Sequence, residues 1–184
     1  MKFLLAFLSL LVATGGTPGL AWAQSDRFEV GIYGDDERAI ACVTAEVGAV
    51  FEQVVWAWVP DELGLAYITL RFDFPENLDF NIRPVFNDLV SGVIFSDYTG
   101  GTVEWNMIFD GCPSGWVKVF SQQCVVLAAE PARIIIQGAD SMMRDCDFIL
   151  NDVLVRNEFT INDPACETVS AVARPWRFVK SMYR

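Results

Sequence analysis

Histidine is entirely absent from the 184-residue chain, and that absence excludes more mechanisms than any motif present supports. Without an imidazole to take up the nucleophile's proton, neither a Ser/His/Asp nor a Cys/His site can be assembled, and the histidine-ligated zinc sites go with them. No GxSxG elbow, P-loop or GxGxxG turn occurs, and none of the five cysteines stands at CxxC spacing from another, which removes the thioredoxin-like redox motif. Basic residues are scarce: 13 Lys and Arg stand against 24 Asp and Glu, a formal charge of −11. A body of that sign repels nucleic acid and anionic membranes. The apolar run from Phe3 to Ala13, broken only by Ser9, is about half of the roughly twenty residues that cross a bilayer.

That run is instead the centre of an export address. Met1-Lys2 supplies a positive start, Phe3 to Ala13 an apolar middle, and Ala21-Trp22-Ala23 an A-x-A ending before Gln24, the layout of a secretory signal peptide. Residues 1–23 are therefore expected to be cleaved, with no membrane span left afterwards. The first cysteine is Cys42, too late for lipoprotein processing. The expected organisation is a signal peptide over 1–23, one domain over 24–173, and a basic aromatic tail over 174–184. A secreted, periplasmic or cell-surface location follows.

Charge is unevenly spread over the exported part. Arg174, Arg177, Lys180 and Arg184 fall in the last eleven residues and no acid follows Glu167. The tail is thus cationic beside an acidic body, and it also carries Trp176, Phe178 and Tyr183. It suits either lying on its own body or docking on another surface.

Five cysteines in a chain bound for an oxidising compartment are expected to pair. Five is odd, so at most two disulfides form and one thiol remains. Cys112 and Cys124 are the favoured pair, because the twelve residues between them contain Pro113-Ser114-Gly115 and can fold into a hairpin. A second bond would join two of Cys42, Cys146 and Cys166, with the pairing open.

Period-two alternation dominates the rest, and it places successive side chains on opposite faces of a strand. Ile68, Leu70, Phe72 and Phe74 alternate with Tyr67, Thr69, Arg71 and Asp73; Val103, Trp105, Met107 and Phe109 alternate with Glu104, Asn106, Ile108 and Asp110. Further strands are expected over 28–33, 39–43, 52–59, 92–95, 116–121, 133–137 and 148–155, rich in β formers. The 54–59 segment is apolar on both faces, as in a central strand, with Trp56 and Trp58 sharing one side. Turn residues punctuate the runs at 34–36, 60–64, 75–77, 99–101, 138–140 and 162–164. Val43 to Val50 and Arg83 to Val90 are read as brief helices. Short strands at this spacing predict an all-β fold, an antiparallel β-sandwich, with an up-and-down barrel as the alternative. Irregular strand lengths and paired cysteines argue against an outer-membrane barrel.

Three kinds of site are compatible with these residues. Glu104 and the adjacent Trp105, with Trp116 after its Gly/Pro/Ser turn, are candidates for binding an extracellular ligand; with Trp56 and Trp58 the tryptophans would form a platform for sugar rings. Asp35 and Asp36, and Asp145 and Asp147, are the densest acidic loops and would suit calcium, which takes six to eight oxygens. Two carboxylates could also run glycoside hydrolysis, although any two of 24 acids would serve such an argument. No catalytic residue is assigned.

The layout resembles small exported bacterial proteins with cohesin-like or immunoglobulin-like sandwiches. The resemblance rests on Val30-Gly31-Ile32-Tyr33-Gly34-Asp35, on Asp110-Gly111-Cys112 with Cys124, on Asp145-Cys146, and on Asn162-Asp163-Pro164-Ala165-Cys166. It implies a fold and an address and carries over no catalytic residue. The expected function is a non-catalytic binding or structural module outside the cell; the alternatives are a carboxylate hydrolase on carbohydrate, and an assembly subunit joined through a strand edge or the tail.

Overall fold

The computed structural model describes residues 26–80, 84–97 and 101–166. The expected signal peptide over 1–23 and the basic tail over 174–184 lie outside the described residues.

Thirteen strands account for the fold: β1 (Phe28–Tyr33), β2 (Cys42–Val43), β3 (Val50–Val59), β4 (Tyr67–Asp73), β5 (Leu78–Asp79), β6 (Val85–Phe86), β7 (Val90–Asp97), β8 (Thr102–Phe109), β9 (Gly115–Val126), β10 (Ala132–Ile136), β11 (Met142–Arg144), β12 (Leu150–Val155) and β13 (Phe159–Ile161). They pack as an all-β sandwich. One layer runs β7-β8-β4, with β4 continuing into β10 near Phe72 and into β11 near Ile68. The other runs β12-β1-β3-β9, with β5 and β6 on the far side of β9. The short β11–β12 hairpin turns the corner between the layers, because β11 pairs β4 and β12 lies parallel to β1. β13 and β2 extend the sheet beyond β10.

Alternation decides which side chains meet between the layers. From one side come Ile68, Leu70 and Phe72 of β4 with Val103, Trp105 and Met107 of β8, and from the other Val30 and Ile32 of β1, Val55 and Ala57 of β3, and Phe120 of β9, all buried in one core. Phe72 meets Phe120 edge to face across the gap, ring centroids 5.9 Å apart. β3 is the central strand of its layer, as its two-sided apolarity predicts.

One bulge resets the alternation. On β9, Val117 opposes Ala57 and Lys118 opposes Trp56, but the next partner, Val55, opposes Phe120. Val119 is the extra residue, so Val119 and Phe120 are consecutive and both fully buried. A bulge of this kind turns the strand by one residue. Before it, Trp116 and Lys118 face out; after it, Cys124 faces in.

Several expectations change here. The brief helix expected over 43–50 is an extended segment and turn entering β3, where Gly48 takes a positive φ of 83° and its N–H donates to the Val126 carbonyl. The described part of the second, 84–90, is β6 and a turn closed by the Val90 N–H on the Asn87 carbonyl. Both are too short to bury a helical stripe, and the sheet edge takes up their backbone bonds. The 3₁₀ turn Gly138–Asp140 is the helical element among the described residues.

The Cys112–Cys124 pairing is also corrected. Residues 112–124 do not form a hairpin: β9 runs straight from Gly115, and at about 3.3 Å per residue Cys124 lies roughly 30 Å along it, against the Cα separation of about 4.4–6.8 Å that a disulfide needs. Cys112 instead bonds Cys146, tying the β8–β9 turn to the β11–β12 turn, and Cys42 bonds Cys166, with Cα atoms 5.9 Å apart in both. Gly64 makes room for the first: its φ is +65°, and a Cβ there would come within 2.8 Å of the Cys146 Sγ. Cys124 is the odd thiol and is fully buried. Burial pushes it far above its ordinary pKa, with the Asp79 charge adding to the shift, so it has no reactive thiolate at neutral pH.

Two linkages and one inert thiol are expected in a non-reducing peptide map: 42–166, 112–146, and Cys124 alkylated by iodoacetamide after unfolding and spared in the native protein. Breaking the 42–166 loop by Cys42→Ser should lower stability by about 2–5 kcal/mol in urea.

Candidate functional site

The outer face of the β7-β8-β4-β11 layer carries the residues that the core excludes. Tyr67, Thr69 and Arg71 of β4 stand opposite Ile108, Asn106 and Glu104 of β8, which in turn stand opposite Gly92, Ile94 and Ser96 of β7. Polar partners knit its middle. The Asn106 Oδ1 accepts from the Thr69 hydroxyl at 2.8 Å, the Asn106 Nδ2 donates to Glu104 Oε1 at 2.9 Å, and the Arg71 guanidinium lies 4.0 Å from Glu104 and 3.2 Å from Asp140. Apolar side chains hold its margins: Ile94 is 67% exposed and Ile108 50%. Gly92 leaves the space beside Ile108 open, since a Cβ there would lie 3.3 Å from Ile108 Cδ1.

At one end the face dips into a hollow of about 460 Å³ lined by Ala66, Tyr67, Ile108, Met142, Arg144 and Phe148. Phe148 is 67% exposed and is presented by the turn after β11. The buried carboxylate of Asp145 makes that turn, accepting the N–H groups of Asp147 at 3.0 Å and Ile149 at 2.8 Å through Oδ1, and the Asn151 amide through Oδ2. Asp145 therefore positions an apolar display. Asp147 is exposed on the same turn.

Trp105 does not join Glu104. As neighbours on a strand they point to opposite faces, and Trp105 sits in the core among Phe86, Phe95 and Phe120 with centroids 4.4–5.9 Å away. The expectation that both flank one ligand is corrected by the alternation itself.

The outer face of the other layer gathers Trp56, Trp58 and Trp116. Trp58 packs on Trp116, centroids 5.6 Å apart, and Trp56 lies on the same side one residue pair along. Arginine guanidiniums lie against two of these rings, Trp56 and Trp116. The Arg38 guanidinium lies 4.9 Å from the Trp56 ring and 4.7 Å from the Trp116 ring, and Arg156 approaches Trp116 at 5.5 Å. Cation–π stacking of this kind is worth about 0.5–2 kcal/mol per contact. Trp116 thus stands apart from Glu104, on the opposite layer, and the tryptophans are an arginine-stacked cluster.

Asp35 and Asp36 serve this cluster. The Asp35 carboxylate closes the 34–40 loop by accepting the N–H groups of Ala39 and Ile40 at 3.0 and 3.1 Å, and Asp36 pairs with Lys118 of β9 at 2.8 Å. The two carboxylates point to different partners, and among the described residues no three Asp, Glu or Cys side chains converge as a cation cage.

Compared with protein-family models and with curated proteins, the chain matches none. Among solved structures it matches cohesin modules. A non-cellulosomal cohesin from the archaeon Archaeoglobus fulgidus is 16% identical and superposes with a TM-score of 0.55 over 76% of this chain and 94% of that one. A type I cohesin from a Clostridium thermocellum cohesin–dockerin complex gives 10%, 0.60, 77% and 96%. The cohesin module of a Clostridium perfringens family 33 glycoside hydrolase gives 15%, 0.60, 74% and 97%. The fold is cohesin-like. At these identities the likeness concerns the fold alone, and it agrees with the sandwich expected from alternation.

Inspection of the sequence misses Glu29, a 3% exposed acid in the apolar strand β1 that pairs with the Arg156 guanidinium. Its signal is an acid flanked by core residues with an arginine at the end of a later strand. The cohesin-like scaffold thus carries a buried ion pair beneath Trp116. Glu29→Gln, which removes the carboxylate that Arg156 meets, should cost about 3 kcal/mol in urea denaturation, and replacing both residues by Met should recover part of that loss.

Proposed function

We propose that this cohesin-like sandwich is a non-catalytic protein-binding module acting outside the cell, with the β7-β8-β4-β11 face as its binding surface. The observation that carries the reading is Ile94 and Ile108, exposed on one face at the margins of its polar middle and beside the Phe148 hollow. Exposed apolar side chains gathered on one face mark interaction surfaces, whereas singly scattered ones do not. Cohesin–dockerin complexes among the structural neighbours support a protein partner of the dockerin kind. The paired cysteines and the export-type start support a location beyond the cytoplasm.

Hydrolysis receives less support. On this face the Arg71 guanidinium lies between the neighbouring acids Glu104 and Asp140, where an acid–base pair would have to hold the scissile bond.

Titration against a panel of dockerin modules, together with photocrosslinking from position 94 or 108 in the exported fraction of the source organism, tests the reading. Ile94→Asp and Ile108→Asp should each weaken the captured partner by about tenfold or more, while Val47→Asp, on the turn before β3, should leave binding unchanged. Binding that survives both face substitutions contradicts this assignment of the surface.

A further inference from the structure

A second site lies on the opposite layer, where β1, the 34–41 loop and the end of β12 enclose a pocket of about 440 Å³ lined by Tyr33, Glu37, Arg38, Ala41, Arg156 and Asn157. Its walls hold hydrogen-bond donors that the protein leaves unanswered. Tyr33 is 6% exposed as a residue, but its hydroxyl is not among the buried polar atoms left without a partner; it opens to the pocket, with no protein hydrogen bond among the described residues. Asn157 beside it is fully used: Oδ1 accepts the Ile32 N–H at 3.1 Å and Nδ2 donates to the Ile32 carbonyl at 2.6 Å. Gly31 permits this arrangement, since a Cβ there would come within 2.8 Å of the Tyr33 hydroxyl.

Arg38 is the second unanswered donor. The ion pairs seen among the described residues do not include it, although the chain has 24 acids. Its polar contact with the protein is a long one, Nη1 to the Asp36 carbonyl at 3.5 Å. The position is nonetheless fixed. Arg38 adopts a left-handed φ of 61°, the Asp35 carboxylate closes the loop around it, and two indoles take the guanidinium, leaving its in-plane N–H groups for hydrogen bonding. A costly backbone conformation held by its surroundings is common at binding sites.

Charge narrows the ligand. Arg156 is neutralised by Glu29, which leaves Arg38 as the cation that faces a ligand, with Glu37 at the rim and the Asp35 charge also acting on Tyr33. The pocket therefore suits at most one negative charge seated directly on Arg38, since any further one would face Glu37 and Asp35. We infer that this pocket binds the carboxylate of a small organic acid, with Arg38 and the Tyr33 hydroxyl donating to its oxygens. A carboxylate next to hydroxyls, as in a sugar acid, or at the end of a peptide meets this description. Burial pushes the Tyr33 phenol above its ordinary pKa, which keeps the donor protonated.

Isothermal titration calorimetry of the full chain with glucuronate, N-acetylglycine, sulfate and glucose tests the inference independently of the opposite face. Saturable binding of glucuronate or N-acetylglycine is expected, and the tighter of the two identifies a sugar acid or a peptide terminus as the source. Arg38→Gln should weaken it by about tenfold or more. Tyr33→Phe should weaken it several-fold while leaving the melting temperature unchanged, because no protein group loses a partner; this variant carries the test if Arg38→Gln does not fold. Absence of saturable binding by both carboxylates, equal binding of glucose, tighter binding of sulfate, or unchanged affinity in Tyr33→Phe overturns the proposal.

Discussion

The two-residue alternation of side chains along paired strands, reset once at Val119, is the constraint on which both outer faces depend. On β4 and β8 it sends Leu70, Phe72, Trp105 and Met107 inward and leaves Arg71, Glu104, Asn106 and Ile108 outside. On β9 the bulge lets Trp116 and Lys118 face out, while Val119 and Phe120 both fill the core. Without the extra residue, the arginine-stacked tryptophans and the Phe72–Phe120 contact could not share one strand. A single backbone irregularity thus separates a polar-aromatic exterior from the interlayer core.

The sandwich is closed by unlike means at its two ends. Disulfides hold the loops, Cys112–Cys146 at the turn that presents Phe148 and Cys42–Cys166 beside β2 and β13. In the chain-entropy model, loops of these lengths remove about 4–5 kcal/mol each from the unfolded state's advantage. Buried polar pairs act elsewhere, as with Glu29 and Arg156 and with Gln53 and Gln122 between β3 and β9. Such pairs specify register more than they stabilise, since the desolvation of each partner offsets most of the attraction. Together they make a rigid frame from which a flat apolar-rimmed face projects on one side and a donor-lined pocket on the other.

Much of the fold was legible in the sequence and less of either site. β1 was readable to the residue as a run of β formers bounded by a turn, and β4 and β8 in their facing, because those two are covered mainly on one side and alternate regularly. The two-residue strands β5 and β6 were not, because too few residues lie in them to show a period, and the bulge was not, because Val119 and Phe120 read as an ordinary apolar pair. Cys112 was given the wrong partner for another reason: the Gly/Pro/Ser turn reads as a hairpin, whereas it leads into the long strand β9 that carries Cys124 away. Glu104 was placed on the outer face by its alternation, while Trp116, offered with it as a ligand-binding candidate, lies on the other layer. What joined Trp116 to Arg38 and Arg156 is a set of contacts spanning more than a hundred residues of chain, which no local pattern encodes. Asp35 and Asp145 looked like cation ligands because an acid that accepts two backbone N–H groups has the same composition as one that binds calcium.

A cysteine scan read by thiol labelling tests the central claim most directly, run over 103–109 of β8 and 116–120 of β9 in a Cys124→Ala background with both disulfides kept. Rapid labelling is predicted at 104, 106, 108, 116 and 118, with 103, 105, 107 and 109 slow and three slow positions, 117, 119 and 120, around the bulge. Fast labelling at 119 with slow labelling at 118, or a three-to-four-residue period along β8, would contradict it.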